Sequence, residues 1–187
     1  MNRNNGRFFY RTVTIGRLIP LFAALMVGPL FAAEENNVHL YGTLVAEPCV
    51  IPPGEEEIEL DFGTVIDKSL YLNKRTSGQP FSIHLTECDL SLGNTVKVTF
   101  SGKENPNLPG LLALDGGSSA SGVGIGLETQ EGKALPLKSA SEEFQLSEGS
   151  YMINLKAYVQ GEPEAIQNKS IGLGTLSAVA TFSLEYE

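Results

Sequence analysis

Few residues of this chain could do covalent chemistry. It holds two histidines, His39 and His84, two cysteines, Cys49 and Cys88, and no tryptophan. A hydrolytic triad needs a serine, a histidine and a carboxylate that converge in space. Both histidines fall in alternating, strand-like stretches, and no Gly-x-Ser-x-Gly elbow stands near His84. No residues have metal-ligand spacing, so neither a metal nor another cofactor is expected. The stretch Gly122-Val-Gly-Ile-Gly126 is not a nucleotide loop, because its spacing is GxGxG and no helix signal follows. Sugar sites usually stack on exposed aromatics, and tryptophan is absent. With 22 Asp+Glu against 13 Lys+Arg, net charge -9, the surface repels phosphate and argues against nucleic acid. An enzyme is not expected.

The chemistry left is that of two thiols, and it depends on the compartment. Residues 1–33 carry Arg3, Arg7, Arg11 and Arg17 and no acid. An apolar run of 16 residues follows, Leu18 to Ala33, broken by Pro20 and Pro29. A basic head and a short apolar stretch read as a secretory signal cleaved after Ala32 or Ala33. An uncleaved anchor is the alternative, but the run is short for a membrane span. No later segment is apolar enough to span. Two cysteines in an exported chain are most simply one disulfide. A metal pair or a free thiol would be the other readings, and the absence of CxxC weighs against the first. A bridge across 39 positions would stabilise by about 4 kcal/mol in the chain-entropy model.

The elements that must position these cysteines are strands. From residue 38 onward apolar residues alternate with polar ones: Ile58, Leu60, Phe62; Phe81, Ile83, Leu85; Val96, Val98, Phe100; Tyr151, Ile153, Leu155, Ala157, Val159; Ala180, Phe182, Leu184, Tyr186. Period-two alternation marks half-buried strands. Val123, Ile125 and Leu127 are spaced by glycines. Turn residues fill the gaps, as in Pro52-Pro53-Gly54, Ser101-Gly102 and Asp115-Gly116-Gly117. Glu162 to Ile166 suits one helical turn, and no longer helical stripe is found. Ser118-Ser119-Ala120-Ser121 is expected to be a mobile loop, and Glu55-Glu56-Glu57 a solvated one. The sequon-like Asn168-Lys169-Ser170 is short enough to arise by chance. The pattern indicates one all-β sandwich of about 140 residues.

Both ends of the body are unusual. Val38, Leu40, Gly42 and Leu44 form one face of a strand-like stretch before Cys49, and a glycine inside a strand marks close approach. On residues alone, this reads as an ordinary first strand pairing within its own domain. At the other end, the last alternating strand runs to Tyr186 and Glu187, where a polar tail is more usual.

These features together resemble a pilin subunit of chaperone–usher fimbriae. The likeness rests on the segment before Ala46-Glu47-Pro48-Cys49, on Phe81 to Cys88, and on Val96 to Gly102. It continues through Gly122 to Leu127, Leu155 to Val159, and Gly174 to Glu187. In this family the glycine fourteenth from the end and the penultimate tyrosine recur, here Gly174 and Tyr186. Residues Val38 to Val45 are most similar to the extension of minor tip-adaptor pilins of the P-pilus type.

The resemblance implies an incomplete immunoglobulin-like β-sandwich lacking its last strand, with one disulfide. It divides the chain into a signal peptide (1–33), a donor-strand extension (34–47) and a pilin domain (48–187). Val38, Leu40 and Leu44 would fill pockets in a neighbour's groove, with Gly42 where bulk is excluded. Ala180, Phe182, Leu184 and Tyr186 would line this chain's own groove, and the Glu187 carboxylate would be a candidate anchor on a chaperone. The implied partners are a periplasmic chaperone, an outer-membrane usher, and pilin or adhesin subunits placed head-to-tail. The implied destination is a cell-surface fimbrium reached through the periplasm, with a minor adaptor role in cell adhesion. A self-contained secreted sandwich that acts as a binding module is the alternative.

Overall fold

The structure is a computed structural model that describes residues 38, 40–42, 44 and 46–187. The chain divides into one unit up to Gly42 and a second, Thr43–Glu187. All helices and strands described here belong to the second. In chain order they are α1 (Asp67–Asn73), β1 (Gln79–Cys88), β2 (Thr95–Gly102), β3 (Glu104–Asn105) and β4 (Leu108–Ala113), followed by β5 (Val123–Thr129), β6 (Phe144–Gln145), β7 (Gly149–Gly161), α2 (Pro163–Asn168) and β8 (Ala180–Tyr186).

They form two antiparallel sheets, one in the order β1-β7-β5-β4-β3 and one in the order β6-β2-β8. Alternation put the apolar face of each strand between them. Ile83 and Leu85 of β1, Val96 and Val98 of β2, and Ile153 and Leu155 of β7 are wholly buried in one core. Their neighbours Ser82, His84 and Met152 face outward. This is the expected sandwich, with an immunoglobulin-like arrangement and one disulfide. Cys49 and Cys88 are bonded, with Cα atoms 4.1 Å apart. Beside them Val50 and Thr86 exchange backbone hydrogen bonds of 2.8 Å in both directions.

Strand directions define two ends. Cys49, the 89–94 turn from β1 to β2, and the end of β8 share what we call the entry end. There Asp89 N donates to Pro48 O, and Asn94 N to Glu187 O. The other, the α1 end, holds α1, the start of β1, the loop 114–122, α2 and residues 171–176. Arg75 bridges Gln160 there, and Ser121 bridges Gly172.

β5 is buried along its whole length. One face lies on the core. On the other, Gly124 lies under Leu108 and Asn105, and Gly126 under the ring of Tyr158. The Arg75 guanidinium stacks 3.6 Å from the centre of that ring. It also donates to buried Glu128 at 2.9 Å, with Lys156 Nζ 3.7 Å from the same carboxylate. The glycines of Gly122 to Gly126 therefore make room for a covered outer face.

Three expectations fail locally. Ile58, Leu60 and Phe62 form no strand: Leu60 and Phe62 pack against the core and Ile58 is exposed, but the stretch joins neither sheet. Alternation records which side chains are buried, not whether the backbone has a neighbour. Helix α1 was not anticipated. It is seven residues long, buries only Leu70, lacks a side-chain N-cap and stops at Lys74 with φ 67°. The loop 118–121 is not loose: Thr175 N donates to Ser119 Oγ at 2.9 Å and Ser177 N to Ser118 Oγ at 2.9 Å. The expected turn at 162–166 is present as α2, with Pro163 in its first position.

Replacing Gly126 with alanine sets a methyl group against the Tyr158 ring. The expected cost is about 1–3 kcal/mol, read as a lower urea midpoint. An unchanged midpoint would refute the packing role given to this glycine.

Candidate functional site

β8 is the terminal strand of its sheet, with β2 on one side and no described strand on the other. Its register runs from Ala180 opposite Gly102 to Tyr186 opposite Val96. Just beyond, Thr95 and Glu187 exchange both backbone hydrogen bonds, each 3.1 Å. Such pairs alternate along an antiparallel ladder. Thr181, Ser183 and Glu185 therefore bond to β2. Ala180, Phe182, Leu184 and Tyr186 turn their backbone N–H and C=O groups towards the open edge. The same four residues turn their side chains towards the core.

Those side chains are only half-buried, whereas Val96 and Val98 of β2 are 0% exposed. Phe182 meets Phe100 with ring centres 6.5 Å apart, and Phe100 meets Phe81 at 6.4 Å. Leu60 and Phe62 pack on the same core without pairing to a sheet. Near the α1 end, Val65, Leu70, Val123, Val159, Ile171 and Leu176 line a cavity of about 50 Å³. The result is an apolar trough with one hydrogen-bonding wall, suited to an extended peptide strand. An unpaired edge with a half-covered apolar row is what folded sheets usually conceal.

Gly174 lies before β8, not on it. Its φ is +146°, and a side chain there would strike Ser119. The glycine lets the 115–121 loop close on the chain that feeds β8. Glu187 is engaged at the entry end: its C=O accepts from Asn94 and Thr95, and its side chain takes Lys97 Nζ at 2.5 Å. That hydrogen bond, with Glu143 3.4 Å away, holds the Lys97 ammonium above its ordinary pKa. Burial, and the carboxylate of Glu47, push the Tyr186 phenol up.

In the N-terminal segment, Val38, Leu40, Tyr41, Gly42 and Leu44 are described and carry no secondary structure. Leu40 is 91% exposed and Leu44 100%. His39, Thr43 and Val45, like residues 1–37, lie outside the described residues.

One constellation had no clear sequence signal. His84 Nδ1 lies 2.9 Å from Glu55 Oε2, and its Nε2 3.3 Å from Ser150 Oγ. Connectivity alone resembles a triad. Yet Ser150 and Glu55 are open to water on the outer face of β1 and β7, where nothing would orient or desolvate a substrate. What the contacts do is pin the 55–57 loop.

Comparison with known proteins decides the family. The family model described as "Fimbrial protein" matches residues 38–187. The chain belongs to the fimbrial protein family. This pilin is 32% identical to the fimbrial adapter PapK of Escherichia coli over 172 residues, 89% of this chain and 94% of PapK. It is 29% identical to the Fimbria A protein of Serratia marcescens over 158 residues, 83% of this chain and 88% of that protein. The P pilus rod subunit PapA shares its fold, with a TM-score of 0.64 and 24% identity, over 75% of this chain and 100% of PapA. The sandwich is thus the immunoglobulin-like pilin fold without its last strand. Its relatives are structural subunits, so this pilin is not an enzyme.

The Tyr186 and Tyr158 phenols, both pushed up mainly by burial, ionise at higher pH in the folded chain than in the unfolded one. Their contribution is complete below the ordinary tyrosine range and declines as pH rises through it. Urea midpoints from about pH 8 to about pH 11 should fall in wild type and fall less in Tyr186→Phe. Parallel curves would show that Tyr186 is not the group responsible.

Proposed function

We propose that this pilin is assembled by strand donation into a chaperone–usher fimbria on the cell surface. The observation that carries the reading is the row Ala180, Phe182, Leu184 and Tyr186. Its outward backbone groups have no partner among the described residues, and its side chains are half-covered. Uncovered apolar surface costs about 25 cal/mol per Å², so a strand seated there gains burial and ladder hydrogen bonds together. A periplasmic chaperone supplies the first occupant. At the outer-membrane usher, the extension of another subunit replaces it.

The segment this pilin gives to its neighbour is 38–45, within an extension spanning 34–47. Residues 1–33 are the export signal, and 48–187 the domain. Val38, Leu40 and Leu44 enter the neighbour's trough, and Gly42 passes its tightest point. Exposure of Leu40 and Leu44 supports this. The likeness of 38–45 to adaptor extensions, and the identity with PapK, support a minor adaptor that joins other pilins or an adhesin during cell adhesion.

The test uses residues 47–187 exported without a chaperone, then given a peptide spanning Glu34 to Ala46. The expected result is an aggregating domain that becomes soluble and unfolds at a much higher temperature with peptide. A stable monomer indifferent to the peptide would overturn the reading in favour of a self-contained binding sandwich.

A further inference from the structure

The loop that fastens the chain feeding β8 begins with Asp115-Gly116-Gly117. Among the described residues this is the only place where an aspartate or asparagine precedes a glycine. Asp115 N donates to Ser177 O at 2.8 Å, and Ser118 N returns to Asp115 O at 3.0 Å, closing a turn over the two glycines. Neither the Asp115 carboxylate nor the Gly116 N–H has a hydrogen-bond partner among the described residues. Both glycines are exposed, and a methyl group on either would meet no atom within 4 Å.

The other described aspartates, Asp61, Asp67 and Asp89, differ on both counts. Phe62, Lys68 and Leu90 follow them in the chain. Their carboxylates accept from the N–H groups of Gly63, Lys68 and Ser91 at 2.8, 2.8 and 2.9 Å.

We infer that Asp115 is a site of spontaneous isomerisation, a covalent change of the backbone that needs only water. Gly116 N attacks Cγ of the Asp115 carboxyl group. A C–N bond forms and the C–O bond to the carboxyl hydroxyl breaks. The hydroxyl leaves as water with the proton of the Gly116 N–H. The product is a succinimide ring that joins the two residues. Residue 116 has no side chain to hinder this approach, and no partner holds the carboxyl group away. Water then adds to one of the two ring carbonyls and breaks the C–N bond to it. Opening at Cγ restores aspartate. Opening at the main-chain carbonyl leaves Gly116 N bonded to Cγ and frees an α-carboxylate. Nothing is oxidised or reduced, and the final mass equals the first.

The main chain of the isoaspartate runs through Cβ and Cγ and is longer by one C–C bond, about 1.5 Å. The oxygen that Ser118 N reached now sits on a carboxylate branch outside the main chain. The turn must widen where Ser119 Oγ accepts from Thr175 N and Ser118 Oγ from Ser177 N, each at 2.9 Å. Those bonds fix the chain that enters β8. On the strand-donation reading, an aged subunit therefore holds the wall of its trough less firmly. The covalent step does not depend on that reading.

The test holds the mature full-length chain at physiological temperature and pH and follows isoaspartate peptide by peptide, with an isoaspartate-specific methyltransferase and a labelled methyl donor. Label in the peptide carrying Asp115 should exceed that in the peptides carrying Asp61, Asp67 and Asp89 at least roughly tenfold, the factor given by a barrier lower by about 1.4 kcal/mol. Asp115→Glu should remove that label, since the longer side chain needs a larger ring that closes slowly. Gly116→Ala should slow labelling by about the same factor while leaving the fold intact, because its methyl group enters open space. Even labelling of these aspartates overturns the site, and so does a Gly116→Ala chain labelled as fast as wild type. The isomerised chain is then separated and given the Glu34 to Ala46 peptide. Its rise in melting temperature should be smaller than that of fresh chain, and an equal rise overturns the effect on the trough. If the peptide fails to stabilise even fresh chain, the strand-donation reading falls and the effect on the trough with it, while the labelling pattern still decides the site.

Discussion

A strand that has a neighbour on one side only among the described residues sets the terms for the rest of this molecule. β8 must stay extended, in register and half-uncovered, although no described residue pairs with its outer edge. The surrounding structure supplies that constraint from the other directions. The β2 ladder fixes its register from Ala180 to Tyr186. The Phe81–Phe100–Phe182 chain of rings supports its inner face. The serine ladder from the 115–121 loop fixes the segment that feeds it, and Gly174 is the point where that loop comes closest.

The five-stranded sheet supports this from behind. Its strands bury side chains on the shared core, and β5 is covered on its outer face as well. The stack of Gly126, Tyr158, Arg75 and Glu128 ties the end of α1 to β5 and β7. Through Leu70, α1 lines the cavity at the α1 end. An interaction on the outside of one sheet thus helps to shape a site on the side of the other.

How much of this could be read from the sequence depended on whether the signal was local. The alternation in β1, β2, β7 and β8 was plain, because each strand has one face on the core. So was the row from Ala180 to Tyr186. That its backbone edge is open was expected only from the family resemblance and not from the periodicity, since it depends on the Thr95–Glu187 pairing across 92 positions. Ile58, Leu60 and Phe62 show the converse: the periodicity was there and the pairing was not. α1 had no cap or stripe to announce it. The 118–121 loop was read from composition, yet the hydroxyls that suggested mobility are the groups that fasten it. Tyr158 alternated like a solvent-facing residue and is buried because Gly126 leaves room and Arg75 covers it.

The disulfide has a mechanical consequence. If this pilin is joined into a fibre by donating residues 38–45, as proposed above, tension would enter each subunit along that segment and reach Cys49. There the covalent bridge passes it straight to Cys88 and so to β1, which is zipped to β7 from Gln79 to Cys88. The chain between the two cysteines, which includes Leu60, Phe62 and α1, lies outside that load path. A pulled subunit would take strain from its own extension through the bridge into its most extensive strand pairing, while the pull of the next subunit would enter at the edge of β8 where that subunit's strand is seated.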